Sequence, residues 1–276
     1  MTAHVWVNGE LVDAAVAVVP VADHGITVGD GLFETMKVVD GTTFALTRHL
    51  ARLRRTAAGL GLRGVPDDDV LRDAIDRTVA SNGPDVGRVR VTVTGGPGPP
   101  GTVRGGAAPT VLVVCGPVAH WEATAAVATV PWTRNEHGAL AGLKTTSYAE
   151  NVIALEHAHA AGASEALFAN TAGDLCEGTG TNVFVVLDGR LVTPPLASGC
   201  LAGVTRELVL EIVDAVEEDV PMHALERAEE AFLTSSTRDV QPIASLDGRV
   251  VPSAPGPLTH AAMDAWRALE ARTLDP

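Results

Sequence analysis

The chain has 276 residues, 46% of them hydrophobic and 20% charged, enough apolar material for one large domain or two ordinary ones, with no stretch of the composition that keeps chains disordered. Its formal net charge of −14 excludes a protein that neutralises nucleic-acid phosphates with a basic face. Cys115, Cys176 and Cys200 are too few and too scattered for a disulfide framework or a zinc site, so no metal is expected.

The N-terminal MTAHVWVNGELV has no basic region followed by an apolar core, so it does not read as a signal peptide. No apolar run approaches the roughly 20 residues needed to span a bilayer, and the chain reads as cytoplasmic. Val5–Val7, Asn8-Gly9 and Glu10–Val12 form a hairpin pattern with a type I′ turn. A second hairpin runs Phe33–Val39, Asp40-Gly41, Thr42–Leu46. Leu50, Leu53, Ala57 and Leu60 keep helical spacing, with Gly61 as a stop. Pro66-Asp67-Asp68 opens another helix reaching about Ala80. Arg88 to Thr94 alternates as a strand with one wet face. Gly95–Gly101 is a loop whose glycines lack the Lys-Ser/Thr and helix start of a phosphate loop. Thr110–Cys115 is a continuous apolar strand, and Gly116-Pro117 marks a boundary.

In the second half strands are expected near Ala126–Val130, Glu165–Ala169 and Asn182–Leu187. Helices are expected near Tyr148–Ala161, Thr205–Val216 and Leu258–Ala271. Asp188-Gly189 and Asp247-Gly248 mark two more hairpins. Without a regular βαβ alternation, the pattern predicts a mixed α/β or α+β protein in two parts.

Four stretches carry chemistry. Lys144, one of very few lysines, lies between a strand region and a helix start, flanked by apolar and hydroxyl residues. Desolvation there favours the free amine that Schiff-base chemistry needs, although an isolated lysine also serves as a solvated charge. Glu177 sits in Cys176–Asn182 among small residues that let a flat ligand approach closely. Arg52 stands on the apolar side of the helix His49–Leu53, where an arginine can also simply cover the core with its stem. Phe232–Asp239 is a strand ending in hydroxyls that suit a phosphate or an ordinary cap.

Singly these are ambiguous; their order is not. GDGLFET (Gly29–Thr35), HLARL (His49–Leu53), LKTTSYAEN (Leu143–Asn151), EGTGTNVF (Glu177–Phe184), LAGVTRE (Leu201–Glu207) and TSSTRDVQP (Thr234–Pro242) together resemble the fold-type IV, or class IV, pyridoxal-phosphate enzymes. Within that family they are nearest to the D-amino-acid aminotransferases and the 4-amino-4-deoxychorismate lyases. The resemblance runs from Val5 to the final helix. It implies pyridoxal 5'-phosphate as cofactor and Lys144 as the Schiff-base lysine and proton carrier. Glu177 is implied to pair with the pyridine nitrogen and keep it protonated. Arg52 and Ser236 are implied as phosphate ligands, with Thr237 beside them, and Val204 and Thr205 as a helix N-terminus that receives the phosphate. Tyr148 matches a tyrosine near the cofactor. The architecture implied is a small N-terminal α/β domain (1–116), a linker (117–120) and a larger C-terminal domain of barrel-like sheet (121–276), in a homodimer with its site near the interface.

The reaction expected is amino transfer from a D-amino acid or (R)-amine to an α-keto acid; the alternative is elimination of pyruvate from aminodeoxychorismate, leaving 4-aminobenzoate. Both begin with proton abstraction by Lys144, so the catalytic residues do not separate them. D-amino-acid enzymes of the family hold the substrate carboxylate with a tyrosine and an Arg-x-His. Here Phe33 replaces the tyrosine, and Pro100-Gly101-Thr102 occupies the Arg-x-His positions. Arg90, with Arg88 or Arg104, is the expected replacement, since Arg88 and Arg90 point the same way on their strand. The other reading is a surface strand paired to acidic residues. Thr237 and Arg238 are the remaining substrate candidates, Arg238 either touching substrate or closing its loop on Asp239.

Overall fold

The computed structural model describes residues 3–118 and 120–276; of the expected linker 117–120, Ala119 lies outside the described residues. The chain divides into two compact units. One comprises Met1–Ala119 with Leu143–Tyr148 and Asp275; the other comprises His120–Gly142 with Ala149–Leu274 and Pro276.

The first unit runs β1 (His4–Val7), β2 (Glu10–Asp13), α1 (His24–Thr27), β3 (Gly31–Val39), β4 (Thr42–Thr43), α2 (Leu46–Gly59), α3 (Asp68–Asn82), β5 (Arg88–Thr94) and β6 (Val111–Gly116). Its six strands lie in the order β2-β1-β6-β5-β3-β4, with every pairing antiparallel. Asn8-Gly9 and Asp40-Gly41 both take positive φ at the hairpin tips, the backbone a type I′ turn demands. Along β3, Leu32, Met36 and Val38 alternate into the core, where β5 meets them with Val89, Val91 and Val93. Leu50 and Leu53 of α2 and Leu71 and Ile75 of α3 close over that face. Each such side chain contributes about 1.5–3 kcal/mol on burial. The opposite face of β5 carries exposed Arg88 and Arg90, as the alternation predicts.

The segment Leu143–Tyr148, expected with the C-terminal domain, belongs instead to the first unit. Main-chain pairing is the cause. Thr145 bridges Leu32, Phe33 N–H donates to Lys144 C=O at 3.1 Å, and Thr146 N–H donates to Gly31 C=O at 2.9 Å.

The second unit runs β7 (Ala125–Arg134), α4 (Ala149–Ala160), β8 (Glu165–Asn170), β9 (Leu175–Gly178), β10 (Asn182–Leu187), β11 (Arg190–Thr193), α5 (Val204–Ile212), β12 (Val216–Glu217), β13 (Glu230–Ser235), β14 (Asp239–Leu246), β15 (Arg249–Val250) and α6 (Pro257–Arg272). Its strands form a nine-stranded mixed half-barrel, β12-β11-β10-β13-β14-β7-β8-β9, with β15 beside β14. Helix α5 stops at Ile212, short of the expected Val216. Val213 is already extended, because Val216 joins the sheet opposite Val192. Among the described residues no helix is long and apolar enough to cross a membrane.

Candidate active site

In the first unit the residues singled out by sequence gather around the Phe33 ring. Lys144 Nζ lies 4.5 Å from its centroid, Arg90 Cζ 3.6 Å, and the Tyr148 ring meets it edge-on at 5.3 Å. Phe33 thus presents its ring to both the Arg90 guanidinium and the Lys144 amine; the attraction of the guanidinium is worth about 0.5–1 kcal/mol where solvent reaches. Arg90 also donates from Nε to Thr92 Oγ1 at 3.2 Å. Arg88 is exposed two residues away on the same strand face. Arg104 is not part of this group: it forks onto Asp30 (Nε–Oδ2 2.7 Å, Nη2–Oδ1 2.5 Å) and donates to Gly61 C=O. That contact fastens the Gly-rich loop and removes Arg104 as a partner for Arg90.

Helix α2 carries His49, Arg52 and Thr56 at i, i+3 and i+7, one face of a helix, and all three are buried. Arg52 meets a carboxylate the sequence reading missed. Glu34, fully buried, accepts from Arg52 Nε at 2.8 Å and Nη2 at 2.6 Å, and from His49 Nδ1 at 2.7 Å. Burial works against its charge, but Arg52 and His49 outweigh that and hold the Glu34 carboxyl down at about 2. Burial pushes His49 below its ordinary value, helped by the cations Arg52 and Lys144. Lys144 N–H reaches Thr56 Oγ1 at 3.4 Å, so the face that presents Arg52 also seats the lysine's backbone. The signal for Glu34 was available: it shares the inward register with Leu32, Met36 and Val38, where a charge requires a partner.

In the second unit Glu177 lies one residue before the end of β9 and accepts Leu201 N–H through Oε2 at 2.9 Å, with Arg134 Nε 3.4 Å from Oε1. Leu201 C=O in turn accepts from Asn182 Nδ2 at 2.9 Å. Gly203, two residues on, is the N-cap of α5 and provides no side-chain cap. A Cβ on it would fall 2.0 Å from Asn182 Oδ1, so the Asn182 side chain that holds Leu201 would have to shift. Val204 and Thr205, both buried, form the first turn. Thr234 pairs with Asn182 in the sheet, and its buried Oγ1 has no hydrogen-bond partner among the described residues. Ser236 and Thr237 follow in the turn between β13 and β14.

Arg238 is held by partners within its own unit. Its Nη1 donates to Gln241 Oε1 at 2.6 Å, its Nη2 to Ser164 C=O at 3.2 Å and lies 3.6 Å from Glu165 Oε2. The guanidinium also stacks 3.6 Å over Trp121. With its side chain 5% exposed, Arg238 is held by these protein partners. Glu165, also missed, holds the turn after Glu177 by accepting from Thr179 N–H at 3.0 Å and Thr181 Oγ1 at 3.3 Å.

The donor set is an amine, a carboxylate on a glycine-rich turn, a glycine-capped helix start with an orphaned hydroxyl beside it, and a buried arginine. The first unit supplies the amine and the arginine and the second the carboxylate and the helix start; each is of the kind that takes the carbonyl, ring nitrogen or phosphate of pyridoxal phosphate, and that chemistry defines the class: an enzyme that uses this cofactor.

Comparison with known proteins gives the family. The family model for "Amino-transferase class IV" matches residues 31–246. A putative branched-chain-amino-acid aminotransferase of Methanocaldococcus jannaschii is 32% identical over 256 residues, 90% of this chain and 89% of that protein. A D-alanine aminotransferase of Bacillus licheniformis is 31% identical over 260 residues, 91% and 92% of the two chains. The solved branched-chain aminotransferase of Thermoproteus uzoniensis with norvaline shares 30% identity at a TM-score of 0.88, covering 96% of this chain and 94% of that one. The chain belongs to the class IV aminotransferases, fold-type IV enzymes that use pyridoxal phosphate.

Proposed function

We propose that this aminotransferase takes its amino group from a D-amino acid or an (R)-amine and passes it to an α-keto acid. The observation that carries this reading is the guanidinium of Arg90 stacked on Phe33, the same ring that lies 4.5 Å from Lys144 Nζ. It sets a fixed cation for a substrate carboxylate close to the amine, where the usual tyrosine and Arg-x-His are missing. Arg88 adds positive potential on the same strand face, and Phe33 and Thr237 complete the proposed substrate contacts.

Bound pyridoxal phosphate supplies an electrophilic carbonyl and a ring that accepts electrons from the substrate carbon. Lys144 contributes the amine that would attach the cofactor and, once the amino donor displaces it, the base that takes the proton from the donor's α-carbon. Glu177, held by Leu201 N–H, keeps a negative charge against the ring nitrogen. Arg52, Ser236, Thr237 and the amides of Val204 and Thr205 receive the phosphate, and Tyr148 packs near the cofactor. The active form is a cytoplasmic homodimer, which sedimentation of the purified protein checks.

The test mixes holoenzyme with D-alanine, and separately with L-branched-chain amino acids, following the cofactor's visible band at about 410 nm. Bleaching by D-alanine alone supports the reading; bleaching by the L-amino acids alone overturns it. Pyruvate and 4-aminobenzoate from aminodeoxychorismate, with neither amino acid active, establishes the lyase instead. Arg90→Ala is expected to raise KM for D-amino acids at least about tenfold, the loss of one charge-assisted contact, while KM for simple amines stays put. Equal changes for both donors remove Arg90 from the carboxylate role.

A further inference from the structure

We propose that Glu34 and His49 are positioning residues for the cofactor phosphate, locking the guanidinium of Arg52 in one plane so that it meets the phosphate in a single orientation. The inference rests on the reading of Arg52 as a phosphate ligand.

The geometry is a two-point grip. Glu34 takes the Nε and Nη2 edge of Arg52, one oxygen to each nitrogen, at 2.8 and 2.6 Å. A single contact leaves a guanidinium free to rotate about its stem, whereas two parallel bonds to a carboxylate fix its plane. The fork sets the plane of the guanidinium from β3 while its stem stays on buried α2. His49 fixes the carboxylate in turn. A carboxylate only accepts, so the 2.7 Å contact from His49 Nδ1 to Oε2 requires the proton on Nδ1. Burial pushes the His49 imidazole below its ordinary value against the pull of Glu34, and the Nδ1 proton is the one this contact uses.

Stability alone is a weak reason to keep the arrangement. Glu34 occupies a core-facing register of β3 beside Leu32 and Met36, and a buried ion pair of this kind is commonly replaceable by apolar side chains without loss. What apolar side chains cannot supply is a fixed cation. The same helix face also seats Lys144 through Thr56, so one stripe of α2 sets both the proposed phosphate cation and the main chain of the lysine that attaches the cofactor.

The experiment titrates apoenzyme with pyridoxal phosphate and, separately, with pyridoxal, which has the same ring and carbonyl but no phosphate. The visible band reports binding, and circular dichroism reports folding. Glu34→Gln and His49→Gln are each expected to weaken pyridoxal phosphate by about tenfold, the cost of leaving a buried partner unsatisfied, with pyridoxal affinity unchanged. Arg52→Lys is expected to lose the same discrimination. If both ligands weaken equally in the Glu34 and His49 variants, or neither weakens, while Arg52→Lys discriminates, the positioning role is wrong and the reading of Arg52 stands. If Arg52→Lys leaves the ratio of affinities untouched, the reading of Arg52 fails and takes this inference with it. Should Glu34→Gln not fold, His49→Gln alone decides by the same ratio.

Discussion

At the scale of single residues, Glu34 ties the site to acid stability. Its native carboxyl is held at about 2 by Arg52 and His49, below an ordinary carboxylate. The stabilisation is therefore complete above the unfolded-state value, about 4.3, and drains away as pH falls toward 2. For a residue with no exposed surface a shift of that size amounts to about 3 kcal/mol. Thermal unfolding of the wild type is expected to lose several degrees between those pH values, and Glu34→Gln to flatten that part of the curve. A variant whose acid limb matches the wild type refutes the linkage. Lys144 makes a simpler prediction. Lys144→Ala is expected to fold, to lack the visible band, and to lose activity by several orders of magnitude, as removal of a covalent catalytic group does. Retention of the band disproves attachment at Lys144.

At the scale of elements, the sequence shows most plainly those whose pattern is local. The strand Arg88–Thr94 and the Asp188-Gly189 and Asp247-Gly248 hairpins follow from alternation and turn chemistry alone. What was hidden depends on pairing at a distance: α5 stops early because Val216 is claimed by β11, and Leu143–Tyr148 joins the first unit because β3 accepts it. The site divides the same way. Lys144 and Glu177 stand in recognisable motifs, while Glu165 gives no local hint of a partnership with Thr179, Thr181 and Arg238. Glu34 is intermediate, since its inward register was legible but its partner was not. Gly31 shows how an element places the lysine. A Cβ there would lie 2.8 Å from Val93 C=O and 3.0 Å from Thr146 Oγ1, wedging the Lys144 segment away from β3. Gly31→Ala is expected to cost about 1–3 kcal/mol by overpacking, read in the denaturation midpoint. Because the displaced segment carries Lys144, kcat/KM should fall by about tenfold or more even where the protein is fully folded. A stable variant with unaltered kcat/KM separates Gly31 from lysine placement.

At the scale of the whole molecule, charge sets a problem for the substrate. The chain carries a formal −14 and a sequence pI near 5.0, so at neutral pH its long-range field repels an α-keto acid anion. A local cation offsets this only at short range, because screening at physiological salt acts over about 8 Å. Arg88 and Arg90, exposed on one face of β5, are the local source. In the wild type, added salt weakens the distant repulsion and the nearby attraction together, and the salt dependence of kcat/KM for the keto acid is expected to be shallow. Arg88→Ala removes part of the attraction and leaves the repulsion intact. Its kcat/KM for a dicarboxylic α-keto acid should start lower and then rise by about twofold or more as salt increases from low to physiological strength. A neutral or cationic donor should show no such rise. If Arg88→Ala follows the wild-type salt curve with the dianion, Arg88 is a surface charge like those around it, and steering rests on Arg90 alone.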